Sequence, residues 1–357
     1  MKVSGSVPLV AAFVLTALTC ACGGASPPPQ TAAQGPSTSG SAAADSASLS
    51  PSPAQPTGSP DLSAGTRAFD AGNYAEARKA FEAVTKKNPN DAQAFYDLGM
   101  SCEKLGDKPA AEAAYKVAIS VRPEFDTAAA ALSSLMIDAG RVDEALAVAR
   151  AGLAKHPGSA ALHENLGQAL AMRGDRDNAT AEFEQAIQSA PSEPLYHLNF
   201  AHWLNAWHVR GATPHLDVAL GLAKEDLGLL AAIGLEYRYA GEFDACIKTF
   251  DRAAQIKDGG EIRTQRALCK VGKKNDKGAL DDLQAAVAKE PSYAPAHYYL
   301  GGRLALLKRF KEAAAEYAKY LELDPNGSLS KQASERLKAA QDEAGHDKGG
   351  PGSKKKP

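Results

Sequence analysis

The chain has 357 residues, 44% of them hydrophobic and 23% charged, and its 40 Lys+Arg against 42 Asp+Glu leave a formal charge of −2. That balance gives no general attraction for a nucleic-acid backbone, and ordinary hydrophobicity excludes a multi-span membrane protein. Five cysteines are too few for a disulfide scaffold, and the length fits two or three average domains or one elongated array.

Lys2 gives a short positive start, and residues 7–18 (VPLVAAFVLTAL) form an uncharged, mostly apolar run. A helix of that length rises about 18 Å, well short of the ~30 Å hydrocarbon core of a bilayer. The pattern therefore predicts a secretory signal peptide over 1–21 rather than a membrane span. Thr19-Cys20-Ala21-Cys22-Gly23-Gly24 follows directly. A cysteine after an apolar stretch, with Ala21 before it and Gly23 after it, resembles a bacterial lipoprotein signal. The resemblance implies that the Cys22 thiol is diacylated and becomes the mature N-terminus. Gly rather than Asp after Cys22 implies, on the same resemblance, a place in the outer membrane facing the periplasm. Thr19 departs from the leucine that the family prefers, and an ordinary cleaved signal with two incidental cysteines is the alternative. One acyl chain holds only marginally, at about 0.8 kcal/mol per buried methylene, whereas several on one cysteine hold stably.

Residues 23–63 contain two charges, Asp45 and Asp61, no aromatic residue, and eight of the 21 prolines. Such a composition cannot bury enough apolar surface to offset its ordering entropy, which predicts a disordered Ala/Ser/Pro linker over 22–60. About 40 residues of flexible chain reach ~35 Å on average, enough to lift a folded part off a membrane.

Beyond the linker the chain repeats. Pro89, Pro123, Pro157 and Pro191 are 34 residues apart, as are Pro291 and Pro325, and Pro191 to Pro325 is four periods less two residues. The array is therefore expected to be continuous, with two single-residue deletions in its middle. Gly65, Gly99, Gly167, Gly234 and Gly301 share a slot with Ser133 and Ala201, and Gly72, Gly106, Gly140, Gly174 and Gly241 follow seven residues later. Then come Ala77, Ala111, Ala145, Ala179 and Cys246, and four residues further Phe81, Tyr115, Ala149, Phe183 and Phe250. Each half-repeat predicts a helix of about 12–14 residues. Small residues let the paired helices close up, the aromatic fills the gap to the next repeat, and the mid-repeat Gly suits a left-handed C-cap.

This residue set at this spacing resembles the tetratricopeptide repeat. The resemblance implies an all-α fold, a right-handed superhelix (α-solenoid) of helical hairpins. About eight repeats are expected over 61–327, with the fifth and seventh degenerate. A C-terminal capping helix is expected over 328–344, and a flexible basic tail over 345–357.

No catalytic motif emerges. His163-Glu164 begins like a zinc-protease helix, but Gly167 stands where the second ligand would be, and no phosphate loop, nucleophile elbow or dinucleotide fingerprint is present. The expectation is a protein that is not an enzyme, with no cofactor and no metal. His197, His202, His208 and His215 cluster around Trp203 and Trp207. Their spacings of five, six and seven, with no acid among them, do not suit a metal. A degenerate repeat packed by its own tryptophans and an aromatic docking patch are the two readings left.

In tetratricopeptide proteins the first helices line the binding groove. Here that face carries Tyr96, Met100, Glu103, Glu164, Gln168, His202, Trp203, Asn205, Trp207, Arg238 and Tyr298, a mixed surface of neither sign. Tyr96 and Met100 replace the Lys and Asn of the family's carboxylate clamp, which argues against chaperone tails. Cys246 reads as a small buried filler, or as the partner of Cys269 in the neighbouring helix. The function expected is a non-enzymatic cell-envelope lipoprotein. It would act as a scaffold or assembly factor whose groove binds another protein or peptide, held to the membrane by lipid alone and without nucleic acid. The alternative is a soluble periplasmic or secreted binding module of a secretion or polymer-export system.

Overall fold

The computed structural model describes residues 60–346, so Cys22, residues 22–59 and the tail from 347 lie outside the described residues. Among them are seventeen helices and no strand. We number these α1 (Pro60–Asp70), α2 (Tyr74–Lys87), α3 (Ala92–Lys104), α4 (Lys108–Val121), α5 (Asp126–Asp138), α6 (Val142–Leu153), α7 (Ala160–Arg173), α8 (Arg176–Ser189) and α9 (Pro194–Ala206). They continue as α10 (Ala212–Leu222), α11 (Leu227–Tyr239), α12 (Phe243–Ile256), α13 (Gly260–Gly272), α14 (Asp276–Lys289), α15 (Ala294–Leu306), α16 (Phe310–Leu323) and α17 (Ser330–His346). The chain divides into two compact units that meet in sequence between Tyr196 and His197.

Within each unit the helices pair as antiparallel hairpins, the odd-numbered helix first. The pairing is set by a close approach. A methyl group built on Gly65, Gly99, Gly167, Gly234 or Gly301 would come within 3.0 Å of the ring of Phe81, Tyr115, Phe183, Phe250 or Tyr317 respectively. Each ring lies sixteen residues on, in the second helix of the same repeat, and is at most 2% exposed. The aromatic thus seats first on its own repeat's glycine. Leu98 of the following repeat packs against the cluster of Ala68, Ala77 and Phe81. Where the slot holds Ser133 or Ala267 instead, the opposing residue shrinks to Ala149 or Leu283, all fully buried. Size is traded across the pair at Ala267 and Leu283, whereas Ser133 and Ala149 are small on both sides. The seventh repeat, α13 and α14, is therefore a regular hairpin with a leucine in place of a ring.

The turn inside each hairpin is equally uniform. One residue in each of the eight turns adopts a left-handed backbone: Gly72, Gly106, Gly140, Gly174, His208, Gly241, Lys274 and Lys308, with φ from 55° to 88°; outside this slot, Gly211 and Lys224 also have positive φ. In every turn the following amide donates to a carbonyl five residues back at 2.8–3.0 Å, from Asn73 to Ala68 through Arg309 to Leu304. This Schellman closure satisfies the last carbonyls of the first helix. The fifth turn, where sequence suggests a break, keeps it at His208.

These markers locate the two deletions. One falls between His208 and Ala212, after which Ala212, Leu216 and Ala219 are the buried positions of α10. The other falls in the loop from Lys257 to Gly259, three residues where most loops between repeats have four. There the Gly260 amide donates to Glu290 Oε2 at 2.9 Å. α17 lies along α16 and buries Ala333 and Ala340.

Left-handed backbone costs an L-residue about 1–2 kcal/mol that glycine avoids. Lys274→Gly and Lys308→Gly are each expected to raise stability by about 1 kcal/mol, seen as a later denaturant midpoint with unchanged slope. A midpoint that falls would show that the lysine side chains support the turn.

Candidate partner-binding groove

In the first unit the predicted groove residues sit on α3 and α7. The Tyr96 ring lies 5.8 Å from that of Tyr115 and 5.3 Å from that of Phe125, while the Arg122 guanidinium stacks 3.8 Å over Phe125. Tyr115 donates its hydroxyl proton to Glu103 Oε2 at 2.8 Å. Burial first, then the Glu103 charge and hydrogen bond, push that phenol far above its ordinary range. Met100 and Gln168 are half-buried, and Gln168 donates to Glu164 Oε1 at 2.7 Å. Glu164 itself is buried. Asn165, one residue on, donates to the Ala130 carbonyl at 2.8 Å and to Ser133 Oγ at 2.7 Å, which ties α7 to α5.

The second unit repeats this device with different residues. Asn205 donates to Glu236 Oε2 at 2.8 Å and to its carbonyl at 3.1 Å, and His202 Nδ1 lies 2.8 Å from Glu236 Oε1. Glu236 is 1% exposed, so a carboxylate in α11 is held by two side chains of α9. Arg238 donates to Gln265 Oε1 at 2.8 Å, and Tyr298 to Gln332 Oε1 at 2.9 Å. Four of the predicted groove residues, His202, Asn205, Arg238 and Tyr298, are therefore rungs between successive first helices. Glu164, His202 and Tyr298 turn inward, because burial obliges their polar atoms to find partners, while Met100, Gln168, Trp203 and Trp207 keep accessible surface. The two tryptophan rings lie 5.8 Å apart, with His202 edge-on to Trp203.

The other histidines are used within the fold. His197 and His215 face each other with Nδ1 atoms 3.3 Å apart. Burial, then its neighbour His197, lowers the pKa of His215. His163 and His297 share a clamp. Nδ1 meets Glu182 or Glu316 at 2.6 Å, and Nε2 meets the Pro157 or Pro291 carbonyl at 2.9 Å. Among the described residues no three His, Cys, Asp or Glu side chains are placed to hold a metal. Cys246 and Cys269 form a disulfide that joins α12 to α13, and Cys102 is a buried free thiol.

Sequence reasoning missed Glu236, Gln265 and Gln332, although Glu236 stands one 34-residue period after His202 and Gln332 one after Tyr298. It also missed a cavity of about 310 Å³ among α13, α15 and α17. Leu268, Val271 and Leu329 give it apolar walls, and Arg303 and Arg336 give it charge. Arg336 lies 5.1 Å from the centre of the Tyr298 ring.

Comparison with known proteins agrees with this architecture. The tetratricopeptide repeat profile matches residues 62–130, 131–194 and 277–328, more than half of the chain. The chain belongs to the tetratricopeptide repeat family, whose fold is generally a non-catalytic scaffold for protein–protein interaction. The crystal structure of yeast Tom70 superposes with a TM-score of 0.52 at 15% identity, over 84% of this chain and 67% of that one. A tetratricopeptide repeat protein of Parabacteroides merdae gives 0.48 at 15% identity, over 70% of this chain and 98% of that one. Cellulose synthase operon protein C of Xanthomonas axonopodis pv. citri is 28% identical over 190 residues, 51% of this chain. The chain spans only 12% of that relative's length.

Two measurements follow from these rungs and clamps. Glu236→Ala strands the buried donors of Asn205 and His202, and is expected to cost about 2–4 kcal/mol in chemical denaturation. A cost near zero would mean that water replaces the carboxylate freely. Burial opposes the charge on His297, but the Glu316 hydrogen bond and the Pro291 carbonyl outweigh it and raise the pKa above the ordinary value. The clamp's stabilisation is then fully present below about pH 6.5 and lost as pH rises through the higher folded pKa. Wild type should lose stability relative to His297→Gln as pH rises above about 6.5; parallel pH profiles would refute the clamp.

Proposed function

We propose that the protein is a non-enzymatic cell-envelope lipoprotein, acylated at Cys22, whose repeat array is a scaffold or assembly factor for another protein. On this reading residues 1–21 are a signal peptide, 22–60 the tether, 61–327 the repeats, 328–344 the cap and 345–357 a basic tail. The Cys246–Cys269 disulfide is the observation that carries the compartment. Both cysteines are completely buried, and such bonds persist where the surroundings are oxidising. Among the described residues no helix is long and apolar enough to cross a membrane; on this reading the acylated cysteine provides the attachment.

The partner surface on this reading is the groove that includes Tyr96, Met100, Glu164, Gln168, His202, Trp203, Asn205, Trp207, Arg238 and Tyr298. The inward-turned members set its shape, and Met100, Gln168 and the two tryptophans supply accessible contact. Aromatic side chains of this kind concentrate binding energy. The anchor raises the local concentration of a weakly held partner at the membrane.

The likeness to a protein of a cellulose synthase operon favours a second reading. The chain would then be a soluble periplasmic or secreted binding module of a polymer-export system. Cell fractionation with an intact mass of the mature chain, beside a Cys22→Ala control, separates the two. A membrane-bound chain beginning at diacylated Cys22, lost in the control, is expected. An unacylated soluble chain would end the lipoprotein reading and leave the second.

A further inference from the structure

The left-handed slot of the hairpin turns is occupied differently in the two units. All four turns of the first unit place glycine there, at Gly72, Gly106, Gly140 and Gly174. The second unit places His208, Lys274 and Lys308 in three of its four, with only Gly241 conforming. All three are exposed, and neither lysine is ion-paired to a carboxylate among the described residues. Each carries backbone strain that the glycine used elsewhere in the same chain would remove, so the turn geometry does not account for them.

The same tips expose apolar side chains that the fold leaves uncovered. Leu306 is 69% exposed, Tyr239 65% and Leu307 52%, the three highest values among the large hydrophobic residues. All three lie one or two positions before a left-handed residue. Neighbouring tips are held side by side: Lys273 of the seventh turn pairs with Asp244 beside the sixth. Arg303 of α15 pairs with Asp276 beside the seventh, at 3.2 Å. Those acids are thereby taken up, and Glu312 is taken up by Arg309 at 2.6 Å. What faces outward along this edge is Lys274 and Lys308, with the exposed acid Glu242 beside Gly241, interleaved with Tyr239, Leu306 and Leu307.

We propose that this tip edge of the second unit docks on an anionic phospholipid surface. Cations at a surface gain from phosphate headgroups, and adjacent leucines gain only if an apolar phase lies just beneath. A soluble polyanion would satisfy the lysines but not Leu306 and Leu307, which is why a bilayer surface fits better than a free acidic polymer. The docking does not depend on acylation of Cys22. An N-terminal anchor would hold the chain near the membrane, and the tip edge would orient the second unit against it.

The protein carries its own probe. Its two tryptophans, Trp203 and Trp207, lie in and next to the fifth turn beside His208, so their fluorescence reports on this edge and not on the N-terminus. The full chain is mixed with vesicles of brominated phosphatidylcholine, with or without brominated phosphatidylglycerol. Quenching is expected on the anionic vesicles, reduced but not abolished by salt, and weak on the neutral ones. The Lys274→Gly/Lys308→Gly variant should lower the apparent vesicle affinity read by quenching at least about tenfold. It should also melt no lower than the parent, so misfolding cannot explain the loss. Leu306→Ser/Leu307→Ser should remove the quenching that survives salt. Equal quenching on neutral vesicles, no quenching on either, or full quenching by the double-glycine variant would each overturn the proposal. Suppression by soluble polyphosphate with no tryptophan contact to lipid would assign the edge to a free polyanion and overturn it too. Vesicle co-sedimentation of the same samples reads the N-terminal anchor separately, so failure of one reading is distinguishable from failure of the other.

Discussion

The structure depends on how closely two helices of one repeat can approach. A glycine on the first helix admits the ring of an aromatic residue sixteen positions later, so near that a single added methyl would collide with it. This contact fixes the hairpin's separation, and the separation fixes which first-helix residues can meet the next repeat. Ala267 with Leu283 shows a compensation, a larger first-helix residue against a smaller partner, while Ser133 with Ala149 is small on both sides. A core packed like an organic crystal feels each methylene, but it does not prescribe which partner supplies it.

Once the hairpin is set, the remaining freedom is spent between repeats. Asn165 on Ser133, Asn205 and His202 on Glu236, Arg238 on Gln265 and Tyr298 on Gln332 are chemically unrelated bonds at different positions along the first helices. Each holds one first helix to another and uses polar atoms that would otherwise be buried without partners. The groove surface is consequently built on side chains already committed to structure. That explains how a mixed, uncharged face can have a definite shape without looking like a ligand site.

Periodicity carried the fold into the sequence plainly. Proline and glycine at 34-residue intervals, with small and aromatic residues at fixed offsets, correspond to turns and contacts now visible, because each needs a particular residue type. The substituted positions were harder to read. Leu283 does not look like a substitute for tyrosine until Ala267 is seen opposite it. His208, Lys274 and Lys308 do not look like glycine equivalents until their backbone is known. The bond from His202 to Glu236 needs the register of two helices, although their spacing of one period was there to be found. For the groove, sequence placed the candidate residues on first helices but did not give the direction of Glu164, His202 or Tyr298, since the alternation of inward and outward positions is decided by packing depth.

The two kinds of surface differ in what substitution can do to them. Residues of the groove are coupled to the core through the rungs, so a change there alters stability and binding together, and the two effects are hard to separate. The turn tips are different. Their geometry is closed by backbone bonds that any residue able to adopt the left-handed conformation can make, and their side chains project away from the pairs that hold the repeat. A repeat protein can therefore change what its tips present at small and local cost, leaving the interlock of ring and glycine untouched. In this chain the second unit has taken that course at three turns out of four, and the strain it accepts there is confined to single residues that the rest of the hairpin does not require.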